Sequence, residues 1–387
     1  MRFLFFCFLF ILFFGWIIIN VPNNYNILLN TILVLLVFCL FFGKIRLLLD
    51  KIYEYLIISG TFIVLLMLFV FGRFYETSFL YLCLMCPAMI LLMAKSVMDE
   101  KLLRQLFLFF VCLFVVNALI SYYERITESF LFYDGPLLWE SSENEELSSI
   151  LFRSPALLGH PLQNAMIMGY MMIMILLFHI KYRYKFLLWF IGFLSLFCFN
   201  ARGSILLSAM LFVWYMVFMA KTPNKLLKIA GLCLLFLVLF SFLIFLFSTP
   251  LAGRLLSGAI LEGNGEERIR IWYVLGEMDF VDFLIGLTED DYVSITKKLD
   301  LYTAESWLAL FIIRMGLPFT IFFVVVYSKL LWKLLSNVEK PRRFFLLFSF
   351  FLFASMNNSL AVTATPLIIA LLTAPVFNTY YITRVSE

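Results

Sequence analysis

FLLWFIGFLSLFCFNARGSILLSAMLFVWYMVFMA, residues 186–220, contains a single charged side chain, Arg202, in 35 positions. As one helix it would be about 52 Å long, well past the roughly 30 Å of hydrocarbon in a bilayer. A single tilted helix would also carry Lys221, Lys225 and Lys228 to the face opposite the other lysine-rich connections, against the positive-inside pattern. Asn200-Ala-Arg-Gly203 therefore reads as a break, and the stretch folds back as a hairpin. Its first arm, at about 21 Å, is short for a crossing, which sets the tip and Arg202 in a recess beneath the outer headgroups.

The rest of the chain supports a membrane reading. Of 387 residues 64% are hydrophobic, and the mean hydropathy is +1.01. That is more apolar surface than a soluble fold can bury. The spacing of apolar runs predicts an all-α polytopic membrane protein of about twelve transmembrane helices: 3–19, 26–43, 55–72, 78–94, 103–120, 162–180, 186–199, 204–220, 227–248, 306–328, 344–361 and 364–382. The first is long and Phe-rich, and Asn20-Val21-Pro22 offers no small-residue cleavage site, so a retained helix is expected. Residues 1–387 form one transmembrane domain with two long outer connections, 121–161 and, between spans nine and ten, 249–305. Within the latter, Glu266 to Leu284 has the pattern of an amphipathic interfacial helix, with Ile269, Trp272 and Tyr273 on one face. All seven cysteines fall inside spans, and Cys83-x-x-Cys86 lacks the second pair a zinc site requires.

Orientation follows from the basic residues. With both termini cytoplasmic, nineteen of the 29 lysines and arginines lie in cytoplasmic connections. Of the ten on the outer side, eight are Arg. Positive charge alone serves topology, whereas the planar guanidinium fork suits phosphate and carboxylate recognition. The outer arginines are thus candidates for binding. The formal net charge of +4 is largely this topology signal, and nucleic acid is not an expected partner.

Four polar islands share the outer side: Leu158–Asn164, Asn200–Ser204, Arg268–Trp272 and Thr303–Trp307, the last followed by Arg314. His160, with Pro161 at the first helical position, caps the sixth span and either binds a phosphate or sugar hydroxyl or is a plain capping residue. Arg202 would cost about 2.5 to 3.5 kcal/mol facing hydrocarbon at midplane, so a partner or a watery cavity is expected. Arg268 and Trp272 share a helix face, where the indole can stack on the guanidinium, while Arg270 points elsewhere. Glu305 opens the tenth span, either as a first-turn acid favoured by the helix dipole or as a general base. Arg314, nine residues on, faces nearly the opposite way, so the two share a cavity only if that helix is kinked or unwound. Asn357 and Asn358 are polar inside the eleventh span, as interhelical hydrogen-bonders or cavity lining.

In order and sidedness these islands resemble the O-antigen and capsular polysaccharide polymerase family, whose relatives include the O-antigen ligases. The similarity covers roughly residues 150–330. It rests on Gly159-His160-Pro161 with Asn164, on Asn200-Ala-Arg202-Gly203-Ser204, on Arg268, Trp272 and Gly286, and on Glu305 to Gly316. The resemblance implies a GT-C-like fold and transfer of an undecaprenyl-diphosphate-linked glycan to a sugar hydroxyl of another lipid-linked repeat unit, on the outer face of a bacterial cytoplasmic membrane. It implies catalytic roles for Glu305, Arg202 and Arg268, and substrate binding by His160, Asn164, Arg270, Trp272 and Arg314. Ligases usually carry His where this chain has Glu305, which favours the polymerase branch. A chain-length regulator protein and membrane lipids are the further expected partners.

The chemistry is coherent on physical grounds. A diphosphate leaving group gains charge as the glycosidic bond breaks, and preorganised guanidinium groups in a poorly hydrated pocket can stabilise it in place of a metal. Residues 20–25, after the first span, carry no charge and so no Asp-x-Asp pair. A metal-independent, inverting transferase without cofactor is expected. The alternatives are an O-antigen ligase and a lipid-linked oligosaccharide flippase or other transporter, although a transporter should place ionisable groups near midplane and show two related halves.

Overall fold

The computed structural model describes residues 2–19, 33–41, 85–132, 152–178, 181–220, 266–301, 306–356 and 359–382, with scattered positions within 56–70 and 229–244. Every regular element among these residues is helical: α1 (Arg2–Ile19), α2 (Cys86–Val97), α3 (Glu100–Thr127), α4 (Pro161–Leu177), α5 (Tyr182–Cys198), α6 (Arg202–Trp214), α7 (Glu266–Gly276), α8 (Phe280–Ile285), α9 (Glu289–Lys298), α10 (Trp307–Leu334), α11 (Lys340–Ser355), α12 (Ser359–Val362) and α13 (Thr365–Ile382). A π turn, Tyr215–Met219, extends α6. Three helices, α3, α6 with its π turn, and α10, are long and apolar enough to cross a membrane. The expected spans at 55–72 and 227–248 lie outside the described residues apart from the scattered positions.

α4 is the axis of the bundle. Its sequence is apolar all round, the pattern of a helix with neighbours on every side, and of its seventeen residues all but Leu162 are buried. α5, α6, α11 and α13 surround it. Aromatic rings fill the gaps between them: Trp189 of α5 sits 4.7 Å from Phe193 and 4.2 Å from Phe212 of α6, and Tyr170 of α4 meets Phe350 of α11 edge-on at 5.3 Å.

The break at Asn200 has a local cause. Asn200 adopts φ 50°, its N–H donates to the Phe197 carbonyl at 3.0 Å, and the Ala201 N–H reaches back to Leu196 at 3.2 Å. This is the paired-bond C-terminal cap that a left-handed residue creates, and Asn is among the few non-glycine residues that tolerate that conformation. α6 then starts at Arg202 and packs against α5. The hairpin expected from length and lysine sidedness is present.

Two boundaries differ from expectation. α3 runs to Thr127, seven residues beyond the expected end of its span, before Glu128 ends it at φ 49°. The reason is a polar stripe: Asn117, Ser121 and Glu124, spaced to share one face, are buried against the following segment rather than solvated. The expected helix from Glu266 to Leu284 is in fact two. Gly276 ends α7, and α8 starts afresh with the Asp282 carboxylate accepting the Asp279 N–H at 3.1 Å.

α10 contains the sharpest feature. Gly316 lies at φ 79°, ψ 163°, far from helical values, and Pro318 follows. Glycine admits that conformation and proline lacks the N–H of a continuous ladder, so the helix breaks between two straight arms. α7, α8 and α9 dock beside this break around a small second core of Ile271, Val274, Met278 and Leu287 with Ala309 and Ile313 of α10.

Candidate functional site

The entry to α4 is a turn held from below by carboxylate and amide side chains. Fully buried Glu124 accepts hydrogen bonds from the Leu131 N–H (3.0 Å), the Ser154 hydroxyl (2.5 Å) and the Ala156 N–H (3.0 Å). Asn117 accepts the Leu157 N–H at 3.0 Å. From the other side, Asn164 donates its amide to the carbonyls of Pro155 (2.6 Å) and His160 (3.0 Å). Three side chains from two helices thus satisfy a backbone that makes only a short 3-10 turn, Ala156–Leu158, of its own. The turn delivers His160 to the N-cap of α4, where its side chain makes no capping bond and is exposed. Although the ring reaches solvent, crowding by the surrounding turn, and after it the charge of Arg153, lowers the imidazole below its ordinary value.

The hairpin tip joins this turn directly. The Ser154 N–H donates to the Cys198 carbonyl at 3.1 Å, and Arg125 donates to the Phe152 carbonyl at 3.3 Å. Arg202 opens α6 as an exposed side chain. Next to it, Gly203 is pressed against Met356, whose sulfur would lie 2.8 Å from a Cβ at that position. Ser355, the neighbour of Met356, accepts from the Trp307 indole at 3.4 Å. Trp307 is buried at the start of α10, behind a Ser306 cap that accepts the Ala309 N–H at 3.4 Å. The chain of contacts runs from the turn bearing His160, through the tip bearing Arg202, to the start of α10.

α7, α8 and α9 reach the same end of α10. Ile271 and Val274 of α7 are fully buried on it, whereas Trp272 and Tyr273 face outward, so the packed face of α7 is not the Ile269, Trp272 and Tyr273 face that the sequence pattern singles out. Two glycines make the closest approach. A Cβ on Gly286 would lie 2.3 Å from the Arg314 carbonyl oxygen, and one on Gly316 would lie 2.3 Å from that of Leu284. The Leu287 N–H donates at 2.7 Å to the Ile313 carbonyl, in the last turn of α10 before its break. Arg314, with a side chain only 6% exposed, forms an ion pair with Glu289 of α9 and lies over the Tyr292 ring at 4.2 Å.

Of the residues expected at the site, His160, Asn164 and Arg202 lie on joined elements. Asn164 is buried, and its amide hydrogens are engaged by backbone. Arg270 is half-buried on α7 and Trp272 is exposed there. Arg268 is in α7, but its side chain lies outside the described residues, as do Glu305, Asn357 and Asn358 altogether. Arg314 belongs to the contact between α9 and α10. Glu124 and Asn117 were not anticipated; their signal was the 117, 121, 124 polar spacing at a span end. Also unanticipated was α9, announced by Thr288, which accepts the Asp291 N–H at 3.3 Å, by acids in the first turn, and by Lys297 and Lys298 in the last. The chain matches no protein-family model and no curated protein sequence.

Proposed function

We propose that this chain is a membrane polysaccharide polymerase that moves a polyprenyl-diphosphate-linked glycan onto the sugar hydroxyl of another lipid-linked repeat unit, on the face where its arginine-bearing turns lie. The observation that carries the reading is the continuity of contacts from the His160 turn through the Arg202 tip to Trp307. It gathers chemistry-bearing residues separated by about 150 positions at one end of the bundle. In this reading Arg202, Arg268 and Arg270 hold the donor diphosphate. His160 hydrogen-bonds a sugar hydroxyl, and Glu305, just ahead of the Ser306 cap, takes the acceptor proton.

The acceptor oxygen attacks the anomeric carbon as its proton leaves. The bond from that carbon to the diphosphate oxygen breaks, and the diphosphate departs with the bonding pair, now carrying more charge. Guanidinium groups stabilise the developing charge, so they lower the barrier rather than merely tighten binding. A single displacement inverts the anomeric centre. Asn164 becomes a positioning residue for His160, and Arg314 anchors α9.

The test uses the full chain in detergent with a lipid-linked repeat unit. Longer glycans on the lipid are expected, and Arg202→Lys should cut the rate by about 10²-fold, the scale for loss of one charge-stabilising donor. No elongation, or unchanged elongation in Arg202→Lys at equal protein level, overturns the reading. A flippase would give no product here, because without a membrane there is nothing to cross.

A further inference from the structure

α8, Phe280–Ile285, carries apolar residues on both of its sides. Phe283 packs against the small second core that α7 and α10 share. Phe280, Val281 and Leu284, at i, i+1 and i+4, lie together on the other side and are 78%, 60% and 45% exposed. A helix lying in water turns polar residues outward, so this face is the reverse of the usual pattern. Ahead of the Gly276 break, Trp272 and Tyr273 of α7 add to the exposed apolar surface.

Contact with α10 fixes the level at which this face lies. A Cβ on Gly316 would meet the Leu284 carbonyl oxygen at 2.3 Å, so α8 touches the break backbone to backbone. Past the break, the second arm of α10 runs as regular helix to Leu334, with Lys329 and Lys333 exposed near its end. Those lysines mark the cytoplasmic boundary. Gly316 stands about 20 to 26 Å from them by helical rise, against roughly 30 Å of hydrocarbon. α8 therefore meets α10 at or just under the outer edge of the hydrocarbon. Leu317, Ile321 and Val325, all exposed and spaced four apart, form a stripe down the same span. The stripe begins one residue from the point that Leu284 touches, so the α8 face continues the lipid-facing surface of a membrane-crossing helix.

We propose that Phe280, Val281 and Leu284 insert among the acyl chains of the outer leaflet, making α8 a lipid-embedded wedge that anchors the α7–α9 segment beside the α10 break. The sequence pattern puts one continuous helix along the interface, with Ile269, Trp272 and Tyr273 facing the lipid; in the structure the deepest exposed apolar residues come after Gly276 instead. Trp272 and Tyr273, apolar rings with a polar tip, suit the headgroup boundary above the wedge. The water side is equally marked: Glu277 pairs with Lys298 of α9, and α9 exposes Asp290, Asp291 and Lys297. Apolar surface on one side and charge on the other is the division that an interfacial segment needs, with its apolar face about 5–10 Å into the acyl boundary. This inference rests on the membrane reading and not on the transferase reading, so the two fail separately.

The experiment uses the full chain in phosphatidylcholine liposomes. The photoreactive residue p-benzoylphenylalanine replaces, one at a time, Phe280, Leu284, Ile321 and Asp290, and the adducts formed on irradiation are identified by mass spectrometry. Ile321 on the α10 stripe is the lipid reference, and Asp290 on α9 is the aqueous one. Phe280 and Leu284 are independent positions, so a variant that fails to fold, detected by size-exclusion chromatography, leaves the other to decide. Lipid adducts at a folded variant of either position, at least fivefold above the yield at Asp290 and within threefold of that at Ile321, are the expected result. A yield below fivefold over Asp290 at both, or adducts to a second copy or to another segment of this chain in place of lipid, overturns the proposal.

Discussion

Gly286 and Gly316 are locked backbone to backbone in matching conformations, φ 81°, ψ 163° and φ 79°, ψ 163°. Each lies where a methyl group would collide with the chain just before the other: with Arg314 for Gly286 and with Leu284 for Gly316. The obstructing atoms are backbone, so no side chain can swing away. Either glycine replaced by alanine should cost about 3 kcal/mol through strain and clash together. Thermal unfolding in detergent and limited proteolysis of the α7–α9 segment check this; a parent-like digestion pattern in Gly316→Ala would count against the described docking.

Arg314 and Glu289 should behave as a coupled pair. Arg314 is buried and Glu289 is 44% exposed, so solvent weakens the pair and a coupling of about 1 kcal/mol is expected. Arg314→Met alone should cost less than Glu289→Ala, because the latter leaves a buried guanidinium without its carboxylate. A double-mutant cycle on unfolding midpoints measures both, and additive effects would show the pair to be uncoupled.

Glu124→Gln should loosen the turn before α4. The carboxylate accepts from three donors, whereas an amide turns one acceptor position into a donor facing a donor. The expected cost is about 2 kcal/mol. Hydrogen exchange should rise at the Leu131 and Ala156 amides, which donate to the carboxylate, and spread to His160. Exchange unchanged at both amides would refute the clamp.

His160 gives a pH signature. Its lowered value in the folded protein means that the unfolded chain takes up this proton first as the solution is acidified. Stability from the group is complete above about 6.5, the ordinary imidazole value. It is lost as the pH falls from there through the lowered folded value. The parent should therefore lose more unfolding midpoint between pH 7.5 and 5.5 than His160→Gln does, and parallel losses would show that His160 is not the source.

The hairpin was legible because two independent constraints, bilayer thickness and lysine sidedness, both required a turn at Asn200. The continuation of α3 was not, because a span count ends where charge begins, while Glu124 is a charge that the fold buries. The break at Gly316 was visible only as a condition, since Glu305 and Arg314 could share a cavity solely if the helix bent. Glycine is common in apolar helices and declares no conformation by itself. Asn164 reads equally as a ligand or as a clamp from its residue type, and only the positions of the Pro155 and His160 carbonyls reveal that its amide hydrogens clamp the turn. The Arg314 pairing with Glu289 was not legible, because an acidic stretch does not by itself declare which of its carboxylates a helix will present.

The bond from Leu287 to Ile313 has a practical consequence for protein engineering. The α7–α9 segment supplies a main-chain donor to α10 beside its break, so it is part of how that break is held rather than an addition to it. Inside hydrocarbon a bare carbonyl costs several kcal/mol. A chimera that imports a foreign segment for residues 266–301 would thus lose that bond and the close seat against Gly316 unless the graft brings its own glycine and the amide beyond it.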